Sequence, residues 1–208
     1  MKINEIFYSL QGEGKLVGLP TIFIRTTGCN LRCAYCDTTY AYHQGTEMTS
    51  EDIIHSIKKW QCKRVCITGG EPVLQDELLP FLDVLSKKKY EVSLETNGSM
   101  DITPFVSLGN LLISLDIKCP SSGMHDKMLF SNIHFLRPID QLKFVISDKK
   151  DFTYASSIIS QYKPLCPVIM QSSTGNLRDL ADWVLASKQD IRFGIQLHKL
   201  IWGDKKGI

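Results

Sequence analysis

The chain has 208 residues, 43% of them hydrophobic, and a net charge of +2. That is enough for one core and a single domain over 1–208, and it leaves no clustered basic face of the kind nucleic-acid binding needs. No apolar run reaches the roughly 18 residues that cross a bilayer, and seven cysteines, an odd number with no secretory leader ahead of them, point to reduced thiols in the cytoplasm.

Residues 3–8 alternate as an edge strand does. Ser9-Leu10-Gln11-Gly12-Glu13-Gly14 follows, either a plain turn or a loop whose backbone can approach a ligand. Residues 20–26 read as an apolar strand with Arg25 near its end. Next comes Cys29-Asn-Leu-Arg-Cys33-Ala-Tyr-Cys36, three cysteines within eight residues. Thr49 and Asp52 stand at capping-box spacing, and Ile53, Ile54, Ile57 and Trp60 repeat at helical intervals. A buried strand over 64–68 ends in Gly69-Gly70-Glu71-Pro72. A helix follows from Asp76 to Lys88, with Leu78, Leu79, Leu82 and Leu85 on one face and the Lys87-Lys88-Lys89 cations at its C-terminus.

Strands are then expected at 91–95 and 111–117, with room between them for only a helical turn or two. Residues 119–140 read as a long loop with one helical piece. A strand over 141–146 leads through Ser147-Asp148 into a helix over 149–161. A strand over 167–171 precedes a helix opened by Thr174-Gly175-Asn176, and the last strand spans 191–197. Strands alternating with helices imply a mainly parallel sheet. A full eight-fold barrel needs about 250 residues, so the expected fold is α/β, a partial, open TIM-like barrel. Polar or glycine-bearing signatures recur at the carboxyl ends of successive strands, the rim where such folds bind ligands.

Four thiolates complete a closed iron–sulfur or zinc site; three leave one corner open. The cysteine spacing resembles that of the radical S-adenosylmethionine enzymes, and Tyr35 just before the last cysteine agrees with it. The other reading is a zinc knuckle of Cys29, Cys33 and Cys36 with His43. Gly69-Gly70-Glu71-Pro72, one βα unit later, stands where the radical family carries its Gly-Gly-Glu-Pro motif. In that family three cysteines hold a 4Fe-4S cluster, S-adenosylmethionine occupies the open iron, and reductive cleavage yields a 5′-deoxyadenosyl radical.

Further strings narrow the resemblance. They are Tyr8-Ser9-Leu10-Gln11-Gly12-Glu13-Gly14, Cys36-Asp37-Thr38, Glu95-Thr96-Asn97-Gly98, Asp116-Ile117-Lys118 and Gln196-Leu197-His198-Lys199. Together they resemble the 7-carboxy-7-deazaguanine synthase family. The resemblance implies ring contraction of 6-carboxy-5,6,7,8-tetrahydropterin with loss of ammonia, S-adenosylmethionine acting as a regenerated cofactor and Mg2+ assisting. It places Cys29, Cys33 and Cys36 on the cluster and Thr38 on magnesium. Leu10, Gln11, Gly12, Glu13, Arg25, Thr96 and His198 fall on the pterin, with no catalytic side chain beyond the cofactor radical. Gly69, Gly70, Glu71, Gly98, Asp116, Ile117, Lys118 and Gln171 fall on S-adenosylmethionine. It further implies a homodimer and a flavodoxin or ferredoxin as electron donor. A glycyl-radical activase, another small radical enzyme, is the alternative within the superfamily.

Overall fold

The computed structural model describes residues 1–173 and 176–203 with Lys205 and Gly207; Thr174 and Gly175, expected to open a helix, lie outside them. In chain order the elements are β1 (Lys2–Leu10), β2 (Pro20–Thr26), β3 (Thr46–Glu47), α1 (Ser50–Ile57), β4 (Arg64–Gly69), α2 (Leu78–Lys87), β5 (Glu91–Thr96), α3 (Thr103–Val106), β6 (Leu111–Ile117), β7 (Gln141–Ile146), α4 (Lys149–Tyr162), β8 (Val168–Ser172), α5 (Leu177–Ser187), β9 (Ile191–Gly194) and α6 (Leu197–Trp202). One nine-stranded sheet runs in the order β3-β1-β2-β4-β5-β6-β7-β8-β9. The pairings of β1 with β2 and β3 are antiparallel; every later pairing, from β2–β4 to β8–β9, is parallel. The sheet is the open barrel that the alternation of elements requires.

Side chains alternate faces along a strand, and that period sorts the sheet. Ile22 and Ile24, Val65 and Ile67, Val92 and Leu94, Ile113 and Leu115, Leu142 and Phe144 all join the packed core. The intervening positions carry Arg25, Thr68, Glu95, Asp116, Lys143 and Gln171, and these face a cavity on the other side. In β2 and in β4 to β8 one face therefore makes stability and the other makes the site.

Helix starts follow the expected chemistry. Thr49 and Asp52 form the capping box of α1, and the Asp148 carboxylate accepts from the Asp151 N–H at the start of α4. Three expectations change. Leu79 is 38% exposed, and Phe81 takes its place on the buried face of α2. The last strand stops at Gly194, because Leu197 donates its N–H to the Gly12 carbonyl (2.9 Å) and begins α6. The 119–140 segment holds three short 3-10 pieces where one helical piece was expected. Long-range polar clamps hold it: the buried Asn132 side chain bonds Gly98, Met100 and Ile102, and Asp140 binds Arg137 and the Ile113 N–H.

Candidate active site

The cavity, about 350 Å³, opens at the carboxyl ends of the strands. Cys29, Cys33 and Cys36 all line it, and all seven cysteines are free thiols. The loop that carries them is stitched to its surroundings by backbone. Gly28 donates to Ala41 O (2.9 Å) and accepts from Glu71 N (2.7 Å), and Ala34 donates to Ser122 O (3.0 Å). Gly70 donates to Thr26 O (3.2 Å), and a Cβ there would run into the Gly28 carbonyl and the Cys29 side chain. Part of the glycine pair's role is thus to let the cysteine loop lie against β4.

Among the described residues no three His, Cys, Asp or Glu side chains gather round a point that would hold one ion. Cys29, Cys33 and Cys36 are nonetheless electrostatic neighbours, and burial pushes the first two thiols up. Cys66 also lines the cavity, but burial beside Glu95 pushes its thiol up to about 12, and its charged neighbours are Glu95 and Arg25. His43 is not on the lining. Three thiols on one wall fit a cluster of several irons with a position left for an outside ligand. Two buried acceptors on the lining, Asp116 Oδ1 and Gln171 Oε1, have no partner among the described residues, as a polar ligand requires.

A charge network crosses the floor. Lys143 Nζ lies 2.8 Å from Glu13, 3.4 Å from Glu95 and 3.5 Å from Asp116, and Asp116 also meets Lys118 at 3.0 Å. Burial alone would push the Glu13 carboxyl up; the Lys143 ammonium, with hydrogen bonds from Gln196 and Gln171, overrides it and holds the group at about 2. Burial pushes Glu95 up, with Lys143 and Ser114 opposing. Burial would lower Lys143, but its three carboxylates hold it well above the ordinary lysine value. Neither Lys143 nor Glu95 was among the expected site residues. The signal in the sequence is one lysine inside the otherwise apolar run Leu142–Ile146.

The other expected residues fall into two sets. Leu10, Gln11, Gly12, Glu13, Arg25, Thr38, Gly69, Gly70, Thr96, Asp116, Lys118, Gln171 and His198 line the cavity with the cysteines. Arg25 spends Nε on Glu5 (2.7 Å), which also accepts from Tyr40 (2.8 Å), and its two terminal nitrogens make no hydrogen bond to a described residue. Thr38 donates to Asp37 (2.9 Å), which Lys199 pairs at 3.1 Å. A Cβ on Gly12 would strike the His198 ring, so that close approach seats α6 over the site.

Glu71, Gly98 and Ile117 do not line the cavity. Glu71 is fully buried and accepts from Val73 N (3.0 Å), Thr96 Oγ1 (2.8 Å) and Asn97 N (2.6 Å), which joins two strand-end loops. Gly98 sits in a left-handed turn at φ +73° and its carbonyl accepts from Leu129 and Asn132. Ile117 belongs to the core face of β6.

Residues 23–135 match the family model of the Radical SAM superfamily. The 7-carboxy-7-deazaguanine synthase of Thermoplasma acidophilum is 36% identical over 209 residues, covering 100% of both chains. The chain belongs to the 7-carboxy-7-deazaguanine synthase family. The Methanospirillum hungatei member is 40% identical over 207 residues, covering 97% of this chain and 85% of its own. The crystal structure of QueE from Escherichia coli superposes with a TM-score of 0.78 at 26% identity, covering 95% and 94% of the two chains. The superfamily match spans the cysteine loop through Lys118. The Leu10–Glu13 loop, Lys143, Gln171 and His198 lie outside it, within the span that the full-length relatives cover. For this family the three thiols and the unpartnered acceptors fit a 4Fe-4S cluster and S-adenosylmethionine. No helix among the described residues is long and apolar enough to cross a membrane.

Proposed function

We propose that the chain contracts the ring of 6-carboxy-5,6,7,8-tetrahydropterin to 7-carboxy-7-deazaguanine and ammonia, in the biosynthesis of 7-deazapurines such as queuosine or archaeosine. The observation that carries this reading is one cavity that joins three thiols to a guanidinium whose two terminal nitrogens are unused among the described residues and to an ionised, half-buried glutamate. A carboxylated aminopyrimidine has the complementary groups. Similarity along nearly the whole chain to proteins named 7-carboxy-7-deazaguanine synthase supports the same product.

The terminal nitrogens of Arg25 suit bidentate contact with the substrate carboxylate. Glu13, kept anionic by Lys143, accepts from the amino-pyrimidine edge, while Leu10, Gln11, Gly12, Thr96 and His198 enclose the ring. Cys29, Cys33 and Cys36 hold the cluster. Gly69 and Gly70 leave room beside the cysteine loop, and Asp116, Lys118 and Gln171 offer polar groups to S-adenosylmethionine. When bound and reduced, the cluster and S-adenosylmethionine supply abstraction of the hydrogen at the pterin C6. The chain's part is to orient that carbon and keep water out. Thr38 would hold Mg2+ through its hydroxyl, a hard oxygen donor of the kind that ion prefers. A flavodoxin or ferredoxin supplies the electron, and the protein works as a cytoplasmic homodimer.

The test is anaerobic turnover of reconstituted protein with dithionite, S-adenosylmethionine, Mg2+ and the carboxypterin. The carboxydeazaguanine should form. An intact cluster with bound S-adenosylmethionine and no such product defeats the reading.

A further inference from the structure

Lys143 stands at the middle of β7, a strand whose residues are all buried, and its side chain is 8% exposed. A buried ammonium is costly unless paired and hydrogen-bonded, so its partners define what it does. It has three N–H bonds to give and three carboxylates round it, Glu13 at 2.8 Å, Glu95 at 3.4 Å and Asp116 at 3.5 Å. These come from different parts of the chain: the loop after β1, the end of β5 and the end of β6. Asp116 and Lys143 are direct neighbours in the β6–β7 register. Glu13 is fixed from its other oxygen by Gln196 Nε2 at 2.7 Å, while Asp116 meets Lys118 at 3.0 Å through Oδ2 and its buried Oδ1 has no partner among the described residues.

We propose that Lys143 is a positioning residue that joins the two halves of the cavity, one ammonium orienting Glu13 on the pterin side and Asp116 on the cofactor side. This rests on the ring-contraction reading only for which ligand each side receives. A ligand that draws on Glu13 alters how tightly Lys143 holds Asp116, and the reverse. When Glu13 is neutralised, the freed ammonium closes on Asp116 and takes the acceptor that S-adenosylmethionine would use. Binding on one side is therefore felt on the other through a single shared cation.

The test is calorimetry on anaerobically reconstituted protein, with S-adenosylmethionine alone and then with the carboxypterin. Lys143→Gln should weaken both affinities by about tenfold or more. Glu13→Gln removes a pterin-side group that touches the cofactor side through Lys143 and Gln171, and through Lys143 it should weaken S-adenosylmethionine binding in pterin-free protein by about threefold or more. That effect should vanish on the Lys143→Gln background. Loss of one affinity alone in Lys143→Gln overturns the proposal, and so does unchanged S-adenosylmethionine binding in Glu13→Gln. Where Lys143→Gln does not fold, Glu13→Gln is measured on a Gln171→Leu background, which lacks the other route; a loss that persists there supports the proposal and one that disappears overturns it. A wild-type protein that binds both ligands without making deazapurine defeats the functional reading and leaves these affinities to judge Lys143.

Discussion

Glu71→Gln separates a framework role from ligand contact. In the native chain one carboxylate oxygen accepts from Val73 N and Thr96 Oγ1, and the other accepts from Asn97 N at 2.6 Å. The side chain is fully buried. A glutamine keeps one acceptor oxygen and sets an amide N–H against a donor at the other position. One buried donor is then unsatisfied, at a cost of about 1–3 kcal/mol. Loss of the charge on the remaining bonds adds roughly 1 kcal/mol, for about 2–4 kcal/mol in all. In a domain of this size each kcal/mol moves Tm by about 2–4 °C, so thermal unfolding followed by circular dichroism should fall by roughly 4–16 °C. Iron content should fall with it, because Asn97 Nδ2 reaches the Cys29 sulfur at 3.8 Å and Asn30 at 3.0 Å. An unchanged Tm with weakened S-adenosylmethionine binding would make Glu71 a ligand and refute this reasoning.

Three shorter predictions concern the cavity. Gly12→Ala, whose new methyl meets the His198 ring, should raise the KM for the pterin by about tenfold while Tm shifts by only a few degrees; an unaltered KM counts against the seating of α6. The Glu13 carboxyl lies lower in the folded chain (about 2) than its ordinary 4.5, so its pairing stabilises the fold above pH 4.5 and loses that contribution as pH falls from there toward 2. In urea unfolding, Glu13→Gln should therefore be the less stable protein at pH 6, on the order of 3 kcal/mol, and converge on wild type as acid is added; a constant gap over that window contradicts the assignment. Thr38→Val should lose most of the stimulation by Mg2+ in turnover while keeping its brown cluster absorbance, and full retention of stimulation removes Thr38 as the ligand.

Much of this architecture is written locally in the chain. The capping box at Thr49, the apolar strands and the strand-end glycines each depend on residues a few positions apart, and they fall where the spacing puts them. β3 escaped notice because Thr46 and Glu47 are two exposed residues with no pattern of their own. α6 escaped because it is six residues long, has no side-chain cap and begins only two residues beyond the end of a strand. That Cys29, Cys33 and Cys36 share one cavity was legible from their spacing. The charge network was not, because Lys143 meets Glu13 across 130 positions. Its trace is the period-two alternation itself, which puts Ser114 and Asp116, then Gln141 and Lys143, on one face of strands whose other face is wholly apolar. The same alternation turns Ile117 away from the site that its neighbours Asp116 and Lys118 line.

The most direct measurement follows one hydrogen. Carboxypterin deuterated at C6 is turned over anaerobically, and the recovered S-adenosylmethionine is weighed by mass spectrometry. Abstraction from that carbon with return of the hydrogen and regeneration of the cofactor predicts deuterium in the recovered S-adenosylmethionine and deazaguanine formed in excess over 5′-deoxyadenosine. Deazaguanine made with no label in the cofactor, or with one cofactor consumed for each product, contradicts it.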